Sequence, residues 1–308
     1  MSDIQLGVSL YSYGGDYMFS MSLEDCLADV ADMGATGVEI LADTHIPGYP
    51  TPTAAWIEEW RRLLERYGLT PTCYSSWLDT RMHAGRELGL DSAVRILTRD
   101  LDLAHQLGFT LVRPKIGVVS QDLLPHPVWR ETVKRCLQKA ADHDIRIVPE
   151  IHAPTRLRSE IVDDYLSLID ETGTSHFGLL IDTGIFQREM RPADHSDSSY
   201  RFGPPDPESH ARADSAMRAP LAERASDMAA MSQHVLHIHA KFWDMQDSLA
   251  DPHIPYDEVV ETLVTSGYRG WISSEYEGSR EPGRAAEVLR YQQLLLRRLL
   301  AESEAGSV

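Results

Sequence analysis

Short apolar runs alternate with longer amphipathic segments from one end of the chain to the other. Each apolar run has the length of a buried β-strand and is bounded by residues that favour turns. We therefore predict eight strands, at residues 4–10, 36–41, 70–76, 110–115, 145–151, 177–182, 234–242 and 270–276.

The segments between the strands carry apolar residues at helical spacing. In the first segment, Leu23, Cys26 and Leu27 share one face, and Ser22 is suited to the N-cap position. Glycines follow several of these segments, as expected for left-handed C-terminal caps. We predict helices at residues 22–33, 56–67, 91–107, 127–143, 159–171, 256–266 and 284–301.

Eight strands that alternate with helices over 308 residues match the count of a (β/α)8 TIM barrel of the α/β class. The composition does not change along the chain, so we predict a single domain over residues 1–308. A doubly wound open sheet is the alternative architecture. It would carry a glycine-rich phosphate loop after the first strand, and "SYGGDY" lacks that spacing.

One connection is unusually long. Residues 183–233 separate the sixth and seventh strands, and their middle is rich in Pro, Ser, Asp and Arg. Loops longer than about 15 residues are usually functional or disordered. Because this one leaves the carboxyl end of a barrel strand, we predict a lid or a partner-docking insertion, with plain disorder as the alternative.

Composition and charge exclude several classes of protein. The net charge of −18 would repel nucleic acid, and no apolar run approaches the length of a membrane span. The N-terminus lacks the pattern of a signal peptide. Cys26, Cys73 and Cys136 are scattered and odd in number, which fits a reducing compartment. We expect a cytoplasmic enzyme without nucleic-acid or membrane partners.

Four residues that can bind a metal stand at the ends of the last four predicted strands: Glu150, Asp182, His239 and Glu275. Neighbouring barrel strands would bring these side chains to one point at the mouth. Three carboxylates and one imidazole suit one divalent ion, either Mn²⁺ or Mg²⁺, with Zn²⁺ or Co²⁺ as alternatives. Each residue taken alone could equally be a helix cap, an ion-pair partner or a packed core histidine.

Further polar residues share the inward face of these strands. In "RIVPEIHAPT" (146–155), Glu150 and His152 are two residues apart and point the same way, and Pro149 favours a bulge there. We predict substrate contacts from His237, Lys241, Tyr13 and Arg113, with Tyr11, Glu39 and Lys115 as weaker candidates. For His237, packing beneath the site is the alternative.

The runs "GVSLYSYG" and "LEDCLADVADMGATGVEIL", with the four spaced ligands, resemble the xylose-isomerase-like TIM barrels. That superfamily includes sugar isomerases, ketose 3-epimerases, inosose dehydratases and endonuclease IV. Ile185, Phe242 and Met245 stand where ketose 3-epimerases carry a substrate-binding His, a Glu and an Arg. Ordinary 3-epimerisation of a free ketose is therefore disfavoured, and the negative charge disfavours the endonuclease.

Within that superfamily, "SLYSYG", "GVEILADTHIPGYP", "WLDTR" and "EIHAP" resemble the α-subunit of bacterial C-glycoside deglycosidases. The resemblance implies Mn²⁺, a 3-oxo-glycoside substrate and a small β-subunit. It also implies that Glu150 is a metal ligand and His152 the catalytic base.

The expected reaction is a lyase reaction, in which removal of the C2 proton gives an enolate that expels the aglycone and cleaves a carbon–carbon bond. The same enolate would serve a sugar or cyclitol isomerase, an epimerase or a dehydratase, which are the alternatives. A catalytically inactive sugar-binding or assembly subunit is the alternative outside the enzymes.

Overall fold

All strands run parallel in one curled sheet. A computed structural model describes residues 3–76, 78, 88–115, 127–190, 218–245 and 249–306. In chain order the strands are β1 (Gln5–Ser9), β2 (Gly37–Leu41), β3 (Thr70–Ser76), β4 (Leu111–Pro114), β5 (Arg146–Ile147), β6 (Glu150–Ile151), β7 (Leu179–Asp182), β8 (Val235–Phe242) and β9 (Trp271–Tyr276).

The sheet closes through the segment that carries β5 and β6. The strand order begins at β5, passes through β4, β3, β2, β1, β9, β8 and β7, and ends at β6. Ile147 in β5 pairs with Val112 in β4 and forms a parallel bridge to Phe177 before β7. The predicted TIM barrel is therefore confirmed.

The predicted fifth strand, 145–151, is divided in two. Pro149 has no N–H to donate to a neighbouring strand, so the regular pairing stops there. The flanking groups remain bonded, since Val148 N donates to Val112 O at 2.9 Å and Leu180 N donates to Pro149 O at 3.1 Å. The short segment β6 then directs Glu150 into the barrel, where it pairs with Arg113 and His239.

Helices surround the sheet. They are α1 (Leu23–Asp32), α2 (Ala42–His45), α3 (Ala54–Tyr67), α4 (Leu90–Leu107), α5 (Val128–Asp142), α6 (Glu160–Thr172), α7 (Tyr256–Thr265) and α8 (Arg284–Gly306), with 3-10 turns at Leu10–Tyr13, Thr183–Phe186 and Ala225–His234. No helix among the described residues is long and apolar enough to cross a membrane.

The caps confirm three of the predicted helix ends. Ser22 and Asp25 form a capping box at α1, in which Asp25 N donates to Ser22 Oγ at 3.2 Å and Ser22 N donates to Asp25 Oδ2 at 2.8 Å. Gly68 and Gly108 end α3 and α4 with φ angles of 63° and 86°, a conformation that favours glycine.

Apolar residues fill two regions. The main cluster lies between the helices and the outer face of the sheet and includes Trp60, Trp129 and the buried Cys26 and Cys136. A small second cluster is formed by Cys73, Leu111, Val148 and Leu180. Towards the carboxyl ends of the same strands the buried residues become polar, and they include Ser75, Arg113 and Asp182.

The long connection is described only at its two ends. Residues 183–190 and 218–233 belong to the described part of the chain, and Ala225–His234 packs beside α7. Residues 191–217, on which the predicted lid or docking role largely falls, lie outside the described residues, as do most residues of the "WLDTR" motif.

Candidate metal and substrate site

The four predicted ligands converge at the carboxyl ends of β6 to β9. Glu150, Asp182, His239 and Glu275 each offer one ligand atom, and these atoms all lie within 4.8 Å of one another. All four residues are buried, the most exposed being Glu150 at 5%. Three carboxylates and one imidazole form a hard donor set that fits one divalent ion.

Strand register accounts for this convergence. Asp182 in β7 lies beside His239 in β8, and Lys241, two residues further along β8, lies beside Glu275 in β9. Because residues two apart in a strand share a face, His239 and Lys241 both point into the barrel, as predicted from their spacing.

The His239 imidazole lies between carboxylates on both of its edges. On one edge, Nδ1 lies 2.7 Å from Glu150 Oε1 and 3.3 Å from Glu275 Oε2. On the other edge, Nε2 lies 2.9 Å from Oε2 of Glu39 in β2. Glu39 was a weak candidate for lining the pocket, and the structure gives it a direct contact with a predicted ligand.

Lys241 and Arg113, which were predicted to contact the substrate, border the cluster. Lys241 Nζ lies 2.7 Å from Glu275 Oε2 and 3.2 Å from Asp182 Oδ2, and it also meets Glu277 Oε1 at 2.9 Å. On the far side, Arg113 Nη2 lies 3.0 Å from Glu150 Oε2. The sequence prediction did not include Glu277, although its two-residue spacing from Glu275 was a usable signal.

Burial and these charges shift the acidities of the cluster. Burial raises the pKa of Asp182 to about 7. The positive charge of Lys241 opposes this shift, and the negative charges of Glu150 and Glu275 add to it. Burial also acts to raise the pKa of Glu275, but His239 and Lys241 outweigh it and hold that pKa at about 2. Arg113 and His239 likewise hold the pKa of Glu150 well below its ordinary value.

His152 follows β6 and is 7% exposed. Its Nδ1 lies 2.6 Å from the carbonyl oxygen of Ala153, so Nδ1–H donates there and Nε2 is the basic nitrogen. Burial lowers the pKa of His152, with Lys115 and Lys241 acting in the same direction and Glu150 against it. The imidazole is therefore neutral at pH 7.

Tyr13 does not reach the cluster, which corrects the prediction that it contacts substrate. Its side chain is fully buried, and its hydroxyl donates to Asp29 Oδ2 in α1 at 2.7 Å. The physical reason is the 3-10 turn at Leu10–Tyr13, which ends the two-residue alternation of β1. The ring of Tyr11 lies against the guanidinium of Arg280, whose Cζ is 5.0 Å from the ring centroid, and burial, followed by Glu277, raises the pKa of Tyr11 to about 12.

His237 lies beneath the cluster. It has no exposed surface, and its Nε2 lies 3.4 Å from Glu39 Oε2. Direct substrate contact, as predicted, does not fit this placement, whereas packing beneath the site does. Its ring is close to perpendicular to that of His239, at 84°, with the centroids 5.6 Å apart.

The three positions that depart from the ketose 3-epimerase pattern are apolar and buried. Ile185 and Phe242 are fully buried, and Met245 is 2% exposed. They therefore bring no charged or hydrogen-bonding side chain to the mouth of the barrel.

Comparison with known proteins agrees with this geometry. A family model described as xylose isomerase-like TIM barrel matches residues 27–298. The 3'-dehydrocarminate deglycosidase alpha subunit of a Microbacterium species is 25% identical over 351 aligned positions, which cover 98% of this chain and 97% of the relative. The C-glycoside deglycosidase alpha subunit of Arthrobacter globiformis is 25% identical and covers 98% of this chain and 94% of its own.

A solved structure of L-ribulose 3-epimerase shares the fold. It superposes with a TM-score of 0.67 at 14% sequence identity and covers 100% of this chain and 97% of its own. Together the matches support an enzyme whose reaction is that of a lyase or of an isomerase or epimerase.

Proposed function

Because the chain belongs to the xylose isomerase-like TIM barrel family, we propose that it is a metal-dependent carbon–carbon lyase that releases the aglycone from a 3-oxo-C-glycoside. The observation that carries this proposal is the buried cluster of Glu150, Asp182, His239 and Glu275 with the neutral His152 next to it in the chain. Relatives that match nearly the whole chain are named deglycosidase alpha subunits, which supports the choice of reaction.

The four residues of the cluster would hold one divalent ion, which we propose to be Mn²⁺. When bound, such an ion supplies Lewis acidity that polarises the 3-oxo group of the sugar and acidifies the hydrogen on C2. The remaining task of the protein is to move that proton and to hold the sugar.

His152 takes the C2 proton in this proposal. Its Nδ1–H is anchored on the carbonyl of Ala153, so Nε2 has a free lone pair. Burial lowers the pKa of the imidazole below its ordinary value, so most of it is in the basic form at neutral pH. The side chain leaves the backbone two residues after Glu150, at the same end of the barrel as the cluster.

Elimination then balances as follows. The C2–H electron pair first forms the C2–C3 double bond of the enolate. When the 3-oxo group is restored, this pair moves to a C1–C2 double bond, and the bond from C1 to the aglycone carbon breaks with its own electron pair. The aglycone leaves with that electron pair and takes up one proton, so no oxidant or reductant is consumed. Arg113 and Lys241 bring positive charge to either side of the carboxylates and are the proposed contacts for the sugar oxygens.

We also propose that the enzyme works with a smaller partner polypeptide. The support is that the relatives that match nearly the whole chain are named alpha subunits. An isomerase or epimerase reaction is the second candidate, since the same ligands and base would serve any reaction that begins with enolisation.

The test is incubation of the Mn²⁺-loaded protein with a 3-oxo-C-glucoside and, separately, with a free ketose, each with and without a co-expressed small partner. Release of free aglycone supports the lyase, and a rearranged sugar selects the isomerase or epimerase. Glu150→Gln and Asp182→Asn should lose the bound metal. Retention of about one equivalent of metal in both variants would contradict the proposed centre.

His152→Ala tests the base. We expect it to bind metal normally but to lose turnover and the exchange of the C2 hydrogen with deuterium from solvent. The matched control is His105→Ala, because His105 is exposed on α4, where its ring stacks on that of His143. Full C2 exchange in His152→Ala would show that another group takes the proton.

A further inference from the structure

The His239 imidazole has a different role on each of its edges. Its Nδ1 faces Glu150 and Glu275, and its Nε2 faces Glu39 at 2.9 Å. A neutral imidazole carries one ring hydrogen, so only one nitrogen can offer a lone pair to a cation. For Nδ1 to be that nitrogen, the hydrogen must lie on Nε2.

Glu39 is the acceptor for that hydrogen. Its side chain is fully buried, and Ser75 Oγ donates to Oε1 at 2.7 Å. This hydrogen bond from β3 orients the carboxylate so that the other oxygen, Oε2, faces His239. Carboxylates that accept the second N–H of a metal-binding histidine fix its tautomer and ring orientation.

His237 limits the movement of the same ring. Its Nε2 lies 3.4 Å from Glu39 Oε2, and its ring meets the His239 ring edge to face at a centroid distance of 5.6 Å. Both histidines are fully buried. A rotation of His239 would therefore break the contact with Glu39 and press the ring against His237.

We propose that Glu39 is a positioning residue for the metal centre: it holds His239 in the tautomer and orientation that present Nδ1 to the carboxylate cluster. Glu39 itself does not touch the ion or the substrate. The inference rests on the proposed metal centre and extends it from β8 to β2, which is separated from β8 in the sheet by β9 and β1.

The test measures metal binding in Glu39→Gln and Glu39→Leu. The glutamine keeps an acceptor for Nε2–H but loses the charge, whereas leucine removes both. Loss of such an outer carboxylate typically weakens metal affinity by a factor of about 10 to 100. We expect about tenfold weaker Co²⁺ and Mn²⁺ binding in Glu39→Gln and about 100-fold weaker binding in Glu39→Leu. The visible spectrum of the Co²⁺ form should change in Glu39→Leu.

A matched control separates positioning from core stability. Asp100 in α4 is also a fully buried carboxylate, held by Tyr49, Ser76 and Arg99, and it does not contact the cluster. Asp100→Asn and Asp100→Leu should destabilise the protein but leave the metal affinity and the Co²⁺ spectrum as in the wild type.

The outcomes distinguish the two proposals. If the wild type binds no divalent ion, the proposed metal centre fails and the role of Glu39 fails with it. If the wild type binds one equivalent and both Glu39 variants bind as tightly with an unchanged Co²⁺ spectrum, the centre stands and the positioning role is wrong. Equal losses of metal affinity in the Glu39 and Asp100 variants would likewise mean that Glu39 contributes only to the stability of the core.

Discussion

Arg113 and Glu150 form a buried ion pair, with Nη2 of the guanidinium 3.0 Å from Oε2 of the carboxylate. The side chains are 9% and 6% exposed. The other oxygen of Glu150, Oε1, lies 2.7 Å from His239 Nδ1. Glu150 is thus held from both sides, and its position in the cluster depends on a residue of β4 that is not itself a predicted ligand.

Arg113→Met should destabilise the metal-free protein. Removal of one partner leaves the other as a buried charge, which typically costs about 3–5 kcal/mol. Urea denaturation of the metal-free protein measures the loss, and added Mn²⁺ should recover part of it. In the double variant Arg113→Met, Glu150→Gln, most of the loss should disappear, and an additive loss in that double variant would mean that the pair is not coupled.

The acidity of Asp182 predicts a pH-dependent stability of the metal-free protein. Its pKa is raised from 3.8 to about 7. Between these two pH values, the Asp182 carboxyl keeps its proton in the folded state and has lost it in the unfolded state. Stability is therefore lost as pH rises from about 4 to about 7, by about 4 kcal/mol at most, and stays constant above. Asp182→Asn, which cannot ionise, avoids this loss.

Thermal denaturation of the metal-free forms at pH 5 and pH 8 tests this point. The melting temperature of Asp182→Asn should exceed that of the wild type by more at pH 8 than at pH 5. A difference that is the same at both pH values would contradict the raised pKa. With saturating Mn²⁺, the wild type should have the higher melting temperature of the two, because only the wild type retains the full proposed ligand set.

The two tyrosines that follow β1 should behave differently. Tyr13→Phe removes the hydrogen bond to Asp29, which costs about 1–2 kcal/mol of stability, and it should leave metal binding and turnover unchanged. Tyr11→Phe should keep the stability but raise KM by a factor of up to about ten, because the Tyr11 hydroxyl is within reach of the charges of Glu277 and Lys241, which influence its pKa. Chemical denaturation and steady-state kinetics on both variants test these expectations. A raised KM in Tyr13→Phe would support the original prediction that Tyr13 contacts the substrate.

Gly278 permits a close approach of two loops at the mouth of the barrel. A Cβ atom at this position would lie 2.0 Å from the carbonyl oxygen of Trp243, which follows β8. Gly278→Ser must therefore separate the loops that follow β8 and β9, and we expect a loss of about 1–3 kcal/mol and a lower kcat/KM.

Gly89→Ser is the matched control for Gly278→Ser. A Cβ at Gly89 meets nothing within 4 Å, and this glycine is the N-cap of α4, where serine is favoured. We expect unchanged or slightly higher stability and unchanged kinetics. Equal losses in the two serine variants, measured by denaturation, would mean that the contact with Trp243 is not the cause.

Much of the barrel could be predicted because its elements are locally encoded. The helices α1 and α4 were predicted to within one residue of their observed ends, since amphipathic spacing, a serine cap and a terminal glycine all lie within the segments themselves. The cluster of candidate ligands could be predicted for a similar reason, because the ligands lie towards the carboxyl ends of four successive predicted strands and consecutive barrel strands are neighbours.

Errors arose where local periodicity stopped. The fifth strand was predicted as one element, although Pro149 interrupts its pairing. The turn at Leu10–Tyr13 directs Tyr13 to Asp29, although Tyr11 and Tyr13 were both expected to line the pocket. In both places the chain leaves the two-residue alternation of a strand, so counting residues no longer gives the direction of a side chain.

The sequence by itself determined the order of strands and helices, the four candidate ligands and the candidate base next to Glu150, because each depends on residue types and spacings within short segments. Only the tertiary structure decided that Glu39 meets His239, which is 200 residues away in the chain. Their strands are not hydrogen-bonded neighbours, so the contact exists only because the sheet closes and its inward side chains share one interior.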